Sequence, residues 1–223
     1  MSRRLQTTEV QRLLDAMEQT MARAQDRGGW VLAVDGKPLI VGTHSKDPDA
    51  QWGHVRRGWA KGYKFHAVYS NGCMPLSWEV NTLNVAESDV AARMIPTLKG
   101  GGGYILGDSA YDSNPLHDIS LAAGYHLVAQ RKRPKAGLGH RRHSPGRLRS
   151  IDLLRREFGK ALYSLREDVE RQFGWLTNHG AGLAPLPNWV RRLHRVHLWV
   201  QAKLLIHAAY VTYHSRPPPL AVA

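Results

Sequence analysis

Two apolar runs in this chain lead straight into carboxylates. Val31-Leu32-Ala33-Val34 is followed by Asp35 and Gly36, and Tyr104-Ile105-Leu106-Gly107 by Asp108. Runs of this length and composition read as buried β-strands. Each therefore carries an acid to the edge of a core, where an uncompensated charge is costly. A third acid, Glu170, lies on a helix beside its apolar stripe. Converging carboxylates form a site for hard divalent cations, which prefer oxygen ligands. The chemistry such a site supports is metal-assisted phosphoryl transfer.

Each acid has a plainer reading. Asp35-Gly36 is a common turn pair, and taken alone the turn reading prevails. Asp112 competes with Asp108, but Asp108 abuts the apolar run and Asp112 is placed to cap the next helix. Helical geometry selects the third acid. At 100° per residue Leu162, Leu165, Val169, Phe173 and Leu176 share one face. Tyr163, Arg166, Glu170 and Thr177 edge it, whereas Asp168 points away and Glu167 turns to solvent. Arg166 precedes Glu170 by one turn, a spacing that braces the carboxylate or holds a phosphate; an isolated Arg-x3-Glu is more often a surface ion pair.

Charge points to a polyanionic partner. The 223 residues hold 31 Lys and Arg against 18 Asp and Glu, a net +13. That excess favours nucleic acid first and an anionic membrane second. Residues 131–149 (RKRPKAGLGHRRHSPGRLR) hold eight of these cations and no acid. With so little apolar surface the segment is expected to be a basic flexible loop contacting phosphates. Arg131, Lys132, Arg133, Arg141 and Arg142 are its candidate DNA contacts. The single cysteine, Cys73, forms no internal disulfide and fits a reducing, cytoplasmic setting. The opening residues lack a signal-peptide core. Leu193 to Tyr213 is apolar but interrupted by His194, Arg195, His197, Lys203 and His207, so it predicts a core helix and no membrane span.

The remaining pattern is mixed α/β. Residues 8–26 predict an amphipathic helix capped by Thr8, with Val10, Leu13, Leu14, Met17 and Met21 on one face. A hairpin is expected from 63–69 to 74–80 through Asn71-Gly72. Helices at 87–98 and 114–123 and a strand at 126–129 follow. The order predicts a mixed sheet flanked by helices.

Several of these segments together resemble the catalytic domain of the bacterial insertion-sequence DDE transposases. The similar branch has the signature Tyr-x2-Arg-x3-Glu-x6-Lys. The likeness runs from about Gly29 to Tyr210 through Val34-Asp35-Gly36, Gly62-Tyr63-Lys64-Phe65-His66, Asn84-Val-Ala-Glu-Ser-Asp89, Gly107-Asp108-Ser-Ala-Tyr111-Asp112 and Tyr163 to Leu176. It implies a ribonuclease-H-like fold with Asp35 on the first strand, Asp108 after the fourth and Glu170 on a late helix. It further implies that Asp35, Asp108 and Glu170 are catalytic and hold two Mg2+ or Mn2+ ions. The implied activity is DNA cleavage and strand transfer at insertion-sequence ends. Tyr163 and Arg166 would position phosphate, and Lys64 would help hold the duplex. The implied partners are double-stranded DNA, as transposon ends and target, and a second copy in a homodimer on DNA. The expected setting is the bacterial cytoplasm, on the nucleoid.

On this basis the expected organisation is an N-terminal helical segment over 1–28, the catalytic domain over 29–213 and a tail over 214–223. Two departures accompany it. The signature lysine falls on Thr177, and only about 28 residues precede the first catalytic strand, where the family carries an end-recognition domain. They favour, as the alternative, an inactive or truncated remnant that binds DNA non-specifically; a plain metal-dependent nuclease is a third reading. His140-x2-His143 has metal-like spacing but no Cys or carboxylate partner. Glycines 100–103 lack the Lys-Ser/Thr of a phosphate loop and read as a connector. His194 and His197 read as packing residues. Trp52 and Trp59, interleaved with His54, Arg56, Arg57 and Lys61, read equally as DNA-stacking or packing side chains.

Overall fold

A computed structural model describes residues 7–23, 29–56, 58–70, 72–140, 142–178 and 182–214, with the backbone alone at Arg23, Val169, Glu170, Gln172 and Asn178. The elements are α1 (Thr8–Arg23), β1 (Val31–Ile40), β2 (Gln51–Val55), β3 (Gly58–Tyr69), β4 (Ser77–Thr82), α2 (Glu87–Met94), β5 (Gly103–Gly107), α3 (Asn114–Ala122), β6 (Tyr125–Ala129), α4 (Pro145–Leu153), α5 (Glu157–Ser164), α6 (Arg166–Asn178) and α7 (Leu193–His214). The expected tail lies outside the described residues apart from His214, which ends α7.

Six strands form one mixed sheet in the order β2-β3-β1-β5-β6, with β4 also on β3. The long β3 pairs antiparallel with β2 through residues 58–62 and with β4 through 63–68. Its other edge pairs antiparallel with β1. From β1 onward the pairing is parallel, to β5 and then β6. Parallel neighbours require a crossover, which α3 supplies between β5 and β6. This is the mixed sheet flanked by helices of a ribonuclease-H-like fold.

Strand alternation divides the core between the two faces. One face gathers Ala33, Leu39, Tyr63, Phe65, Ala67, Tyr69 and Leu106 against Phe173 and Leu176 of α6 and Val196, Val200 and Leu204 of α7. The other gathers Leu32, Val34, Val68, Ile105 and Leu127 against Val90 and Met94 of α2 and Leu116 of α3. The apolar residues of α7 are explained by this central place. His197 packs as expected, stacked on Trp78 with ring centroids 4.5 Å apart.

Several expectations shift. Asp35 lies within β1, not at a strand exit or in a turn, because β1 runs on to Ile40. A Cβ on Gly36 would meet Lys64 Cδ at 3.0 Å and His66 Nδ1 at 3.3 Å, so the glycine serves a close approach of β3 side chains. The hairpin gains a separate first strand, β2, which makes Asp108 follow the fifth strand instead of the fourth. Asn71, the expected turn residue, lies outside the described residues, and β4 begins only at Ser77. Ser113, not Asp112, caps α3: its hydroxyl accepts from the Leu116 N–H. The segment 131–149 is not loop throughout, since Ser144 caps α4 with Pro145 at its first position. The expected single late helix breaks at Leu165, whose N–H bonds the Leu162 carbonyl in a tighter turn and whose side chain is 45 % exposed. At the N-terminus the cap moves to Thr7, whose carbonyl accepts from the Gln11 N–H.

The first helix docks by polar contacts as well as its apolar face. Leu14 and Met21 pack on the core, but Leu13 and Met17 remain exposed. Glu18 accepts from Trp78 Nε1 at 2.7 Å, and Gln201 Nε2 of α7 donates to Asp15 at 2.8 Å and Glu18 at 2.9 Å.

Candidate active site

Strand register brings the first two acids level. Ala33 pairs with Leu106 across the parallel β1–β5 contact. Asp35 and Asp108 each follow two residues later, on strands whose axes are about 4.8 Å apart. Each carboxylate accepts a hydrogen bond from a nearby backbone N–H. Asp35 Oδ1 accepts from the Gly36 N–H at 2.8 Å, and Asp108 Oδ1 from the Ala110 N–H at 2.7 Å.

The electrostatics identify which other groups share this space. Burial pushes the Asp35 carboxyl up to about 6; the Gly36 N–H opposes the shift, Asp108 raises it, Arg166 lowers it and Glu87 raises it again. The same four charged groups act on Tyr111. Its ring is fully buried, and its hydroxyl has no hydrogen-bond partner among the described residues. Burial, then Glu87, Asp35 and Asp108, hold that phenol protonated by raising its pKa well above the ordinary value. Acids from β1, the end of β5 and the start of α2 and an arginine from α6 thus all act on the Asp35 carboxyl and the Tyr111 phenol.

Helix α5, which leads directly into α6, is anchored to the end of β5. Tyr163, on α5, donates its hydroxyl to the Gly107 carbonyl at 3.0 Å. Arg166 opens α6 with its guanidinium carbon 5.9 Å from the Tyr163 ring centroid. Glu170 lies one turn further along α6; its side chain is outside the described atoms. Among the described residues, which leave that carboxylate out, no group of three or more His, Cys, Asp or Glu is arranged to hold a metal ion. Asp168 pairs with Arg171 on the helix exterior. Thr177 turns its hydroxyl onto the Phe173 carbonyl at 2.7 Å.

Lys64 does not stand on the surface with the other basic candidates. It is buried and forms an ion pair with Glu87. Beside it on β3, His66 is 1 % exposed, and neither ring nitrogen has a partner among the described residues. Burial drives its pKa down to about 3, with help from the positive charges of Lys64 and Arg93. The imidazole is therefore neutral in this setting.

The basic segment is partly tied down. Arg131 donates to the Pro134 carbonyl at 3.2 Å and to the Ala136 carbonyl, closing the first turn of the loop. Arg147 grips Asp112 with two hydrogen bonds of 2.6 and 2.7 Å. Burial opposes ionisation of Asp112, but Arg147, His117 and the Lys132 N–H hold its pKa well below the carboxylate range. Lys132, Arg133 and Arg142 are exposed, as are Lys135 and Arg149. Arg141 lies outside the described residues. His143 bonds the Leu138 carbonyl and Arg147, which accounts for it without a metal.

Glu87, Tyr111 and His66 are the members of this region that the sequence reading passed over. Glu87 had a signal: it opens a helix directly after the strand that follows Lys64's own strand, within the Asn84-to-Asp89 motif. Tyr111 and His66 carry no comparable local signal. No helix among the described residues is long and apolar enough to cross a membrane.

Comparison with known proteins agrees with this architecture. No curated protein and no solved structure matches the chain. The transposase DDE domain family matches residues 26–207, a span that takes in every strand of the sheet, Asp35, Asp108 and all of α6. With the match covering most of its length, this chain belongs to the transposase DDE domain family.

Proposed function

We propose that the chain is a DNA transposase that cleaves phosphodiesters and transfers strands at insertion-sequence ends, using divalent metal. One observation carries the reading. The β1–β5 register sets Asp35 and Asp108 level with each other, and Asp108 and Arg166, from two further elements, both act on the Asp35 carboxyl. The donor set suits Mg2+ or Mn2+: all oxygen, with one oxygen of each aspartate held by a backbone N–H. The orphaned Tyr111 hydroxyl beside them fits a region built around a bound group.

Asp35, Asp108 and Glu170 would hold the ions, which when bound supply activation of water or a 3′ hydroxyl and neutralisation of the phosphate. Arg166 would orient the phosphate, the role suited to a planar guanidinium. Tyr163 holds α5 and α6 in place through Gly107, and Lys64 keeps Glu87 neutralised within the site wall. The exposed cations Lys132, Arg133 and Arg142, with Arg131 and Arg141 in the same loop, would grip duplex backbone. Acting on paired ends implies a homodimer on DNA, and that substrate implies a place on the bacterial nucleoid.

A second reading is supported by Thr177. Its hydroxyl is committed to the helix backbone where the signature has a lysine, which fits a chain that binds DNA without completing transposition. Incubation with element-end duplex and Mg2+, with Asp108→Asn as control, separates the two. The first reading expects nicked and strand-transfer products from the native chain alone. DNA binding with no product from the native chain favours the second, and equal product from both proteins contradicts the first.

A further inference from the structure

The β2–β3 hairpin presents a surface that the catalytic reading leaves unused. Its register pairs Trp52 with Lys61 and His54 with Trp59, so these four side chains share one face. The opposite face is seated on the body: a Cβ on Gly53 would lie 2.2 Å from the Leu83 carbonyl oxygen. The aromatic face is thereby fixed outward, because a one-residue slip would drive bulky groups into that contact. Trp59 is 71 % and Trp52 48 % exposed. The His54 ring meets Trp59 edge-on, with centroids 6.1 Å apart.

Charge indicates the partner. Residues 51–62 contain no acid, while Arg56 and Lys61 flank the rings. The nearest acids in sequence turn inward: Asp47 accepts from the Tyr63 hydroxyl and the Arg192 N–H, and Asp49 from the Leu193 N–H. Lys61 donates to the Ser45 carbonyl at 2.9 Å, which holds its ammonium at the margin of the aromatic face. Exposed indoles interleaved with cations match a polymer having both flat apolar bases and phosphates. Duplex DNA hides its base faces; an unpaired strand offers them.

We propose that this hairpin face binds an unpaired DNA strand, with bases stacked on Trp52 and Trp59 and phosphates met by Arg56 and Lys61. The proposal takes DNA as the polymer from the transposase reading but requires no catalysis. Trp59 precedes Ala67, the β-partner of Asp35, by eight residues of β3. At about 3.3 Å per residue the platform lies roughly 26 Å from the acids, so it would hold flanking strand and not the cleaved phosphate.

Anisotropy of a labelled oligothymidylate of about fifteen nucleotides tests this with the full chain, against a duplex of equal length. The Trp52→Leu/Trp59→Leu double variant is expected to weaken oligothymidylate binding about tenfold or more, leaving duplex binding unchanged. The Trp52→Phe/Trp59→Phe pair should retain most of the affinity, since a ring still stacks. Binding of both probes is read without Mg2+, so a catalytic failure leaves this test intact. Native-like binding by the folded Leu variant, as judged by circular dichroism, would overturn the proposal. So would equal loss in the Phe and Leu variants, or a Leu variant that changes only from dimer to monomer, which would make the face a contact between copies.

Discussion

The Tyr163 hydroxyl donates to the Gly107 carbonyl, one residue before Asp108. This bond joins the helix pair carrying Arg166 and Glu170 to the strand carrying the second aspartate. Removing it in Tyr163→Phe should cost about 1 kcal/mol, the ordinary net value of such a bond. A fall in Tm of about 2–4 °C is expected for a domain of this size. Cleavage should fall further than that loss implies, with DNA affinity nearly unchanged, because the carboxylates move relative to one another. Kinetics with saturating DNA, together with a melting curve, check both parts.

The Lys64–Glu87 pair gives a sharper stability test. Both groups are largely withdrawn from water, so removing one partner strands the other's charge. Lys64→Met is expected to cost about 3 kcal/mol or more, and Lys64→Met with Glu87→Gln clearly less. Chemical denaturation of the two singles and the double measures the coupling. Additive losses would show that the pair is not coupled.

His66 should make the protein acid-sensitive. Its folded pKa is lowered to about 3 from 6.5, so between these values the unfolded chain binds the extra proton. Stability from this group is present above pH 6.5 and is lost as pH falls below it, by about 2 kcal/mol at pH 5. Denaturation midpoints of native and His66→Gln proteins across pH 7 to 5 should converge as pH falls.

Asp35 works in the opposite direction. Its folded pKa is raised to about 6, so the folded state binds the extra proton between 3.8 and 6. Its ionisation therefore destabilises the metal-free protein as pH rises through that window, by no more than about 3 kcal/mol. Asp35→Asn should raise the Tm of the metal-free protein at pH 8 and have little effect at pH 4. Saturating Mg2+ should reverse the order at pH 8, since only the native chain gains a ligand's binding energy.

Strand identity and sheet class were legible because apolar runs and helical periodicity are local signals. What escaped depended on distant partners. Asp35-Gly36 reads as a turn until the stems of Lys64 and His66 are seen to cross Gly36. Lys64 reads as a DNA contact until Glu87, 23 residues on, is found against it. Strand β2 was missed because Gly53 and its neighbours bury no large apolar side chain, the body approaching the bare backbone instead. Helix α4 was hidden in a basic, glycine- and proline-containing stretch, although Ser144-Pro145 is a helix-start signal in its own right. The single apolar face holds at Leu162, Phe173 and Leu176 and departs at Leu165, where two helices meet and one axis no longer serves.

Acids from β1, the end of β5 and α6 are expected to form one metal-dependent site, and its sharpest test is the choice of Glu170 within α6. The measurement is Mg2+-dependent cleavage of element-end duplex by Glu170→Gln and Glu167→Gln, with Mn2+ affinity measured by calorimetry on the same proteins. Glu170→Gln should lose cleavage by about a thousandfold and bind Mn2+ more weakly, and Glu167→Gln should match the native chain in both. Native-like cleavage and Mn2+ binding by Glu170→Gln would contradict the account.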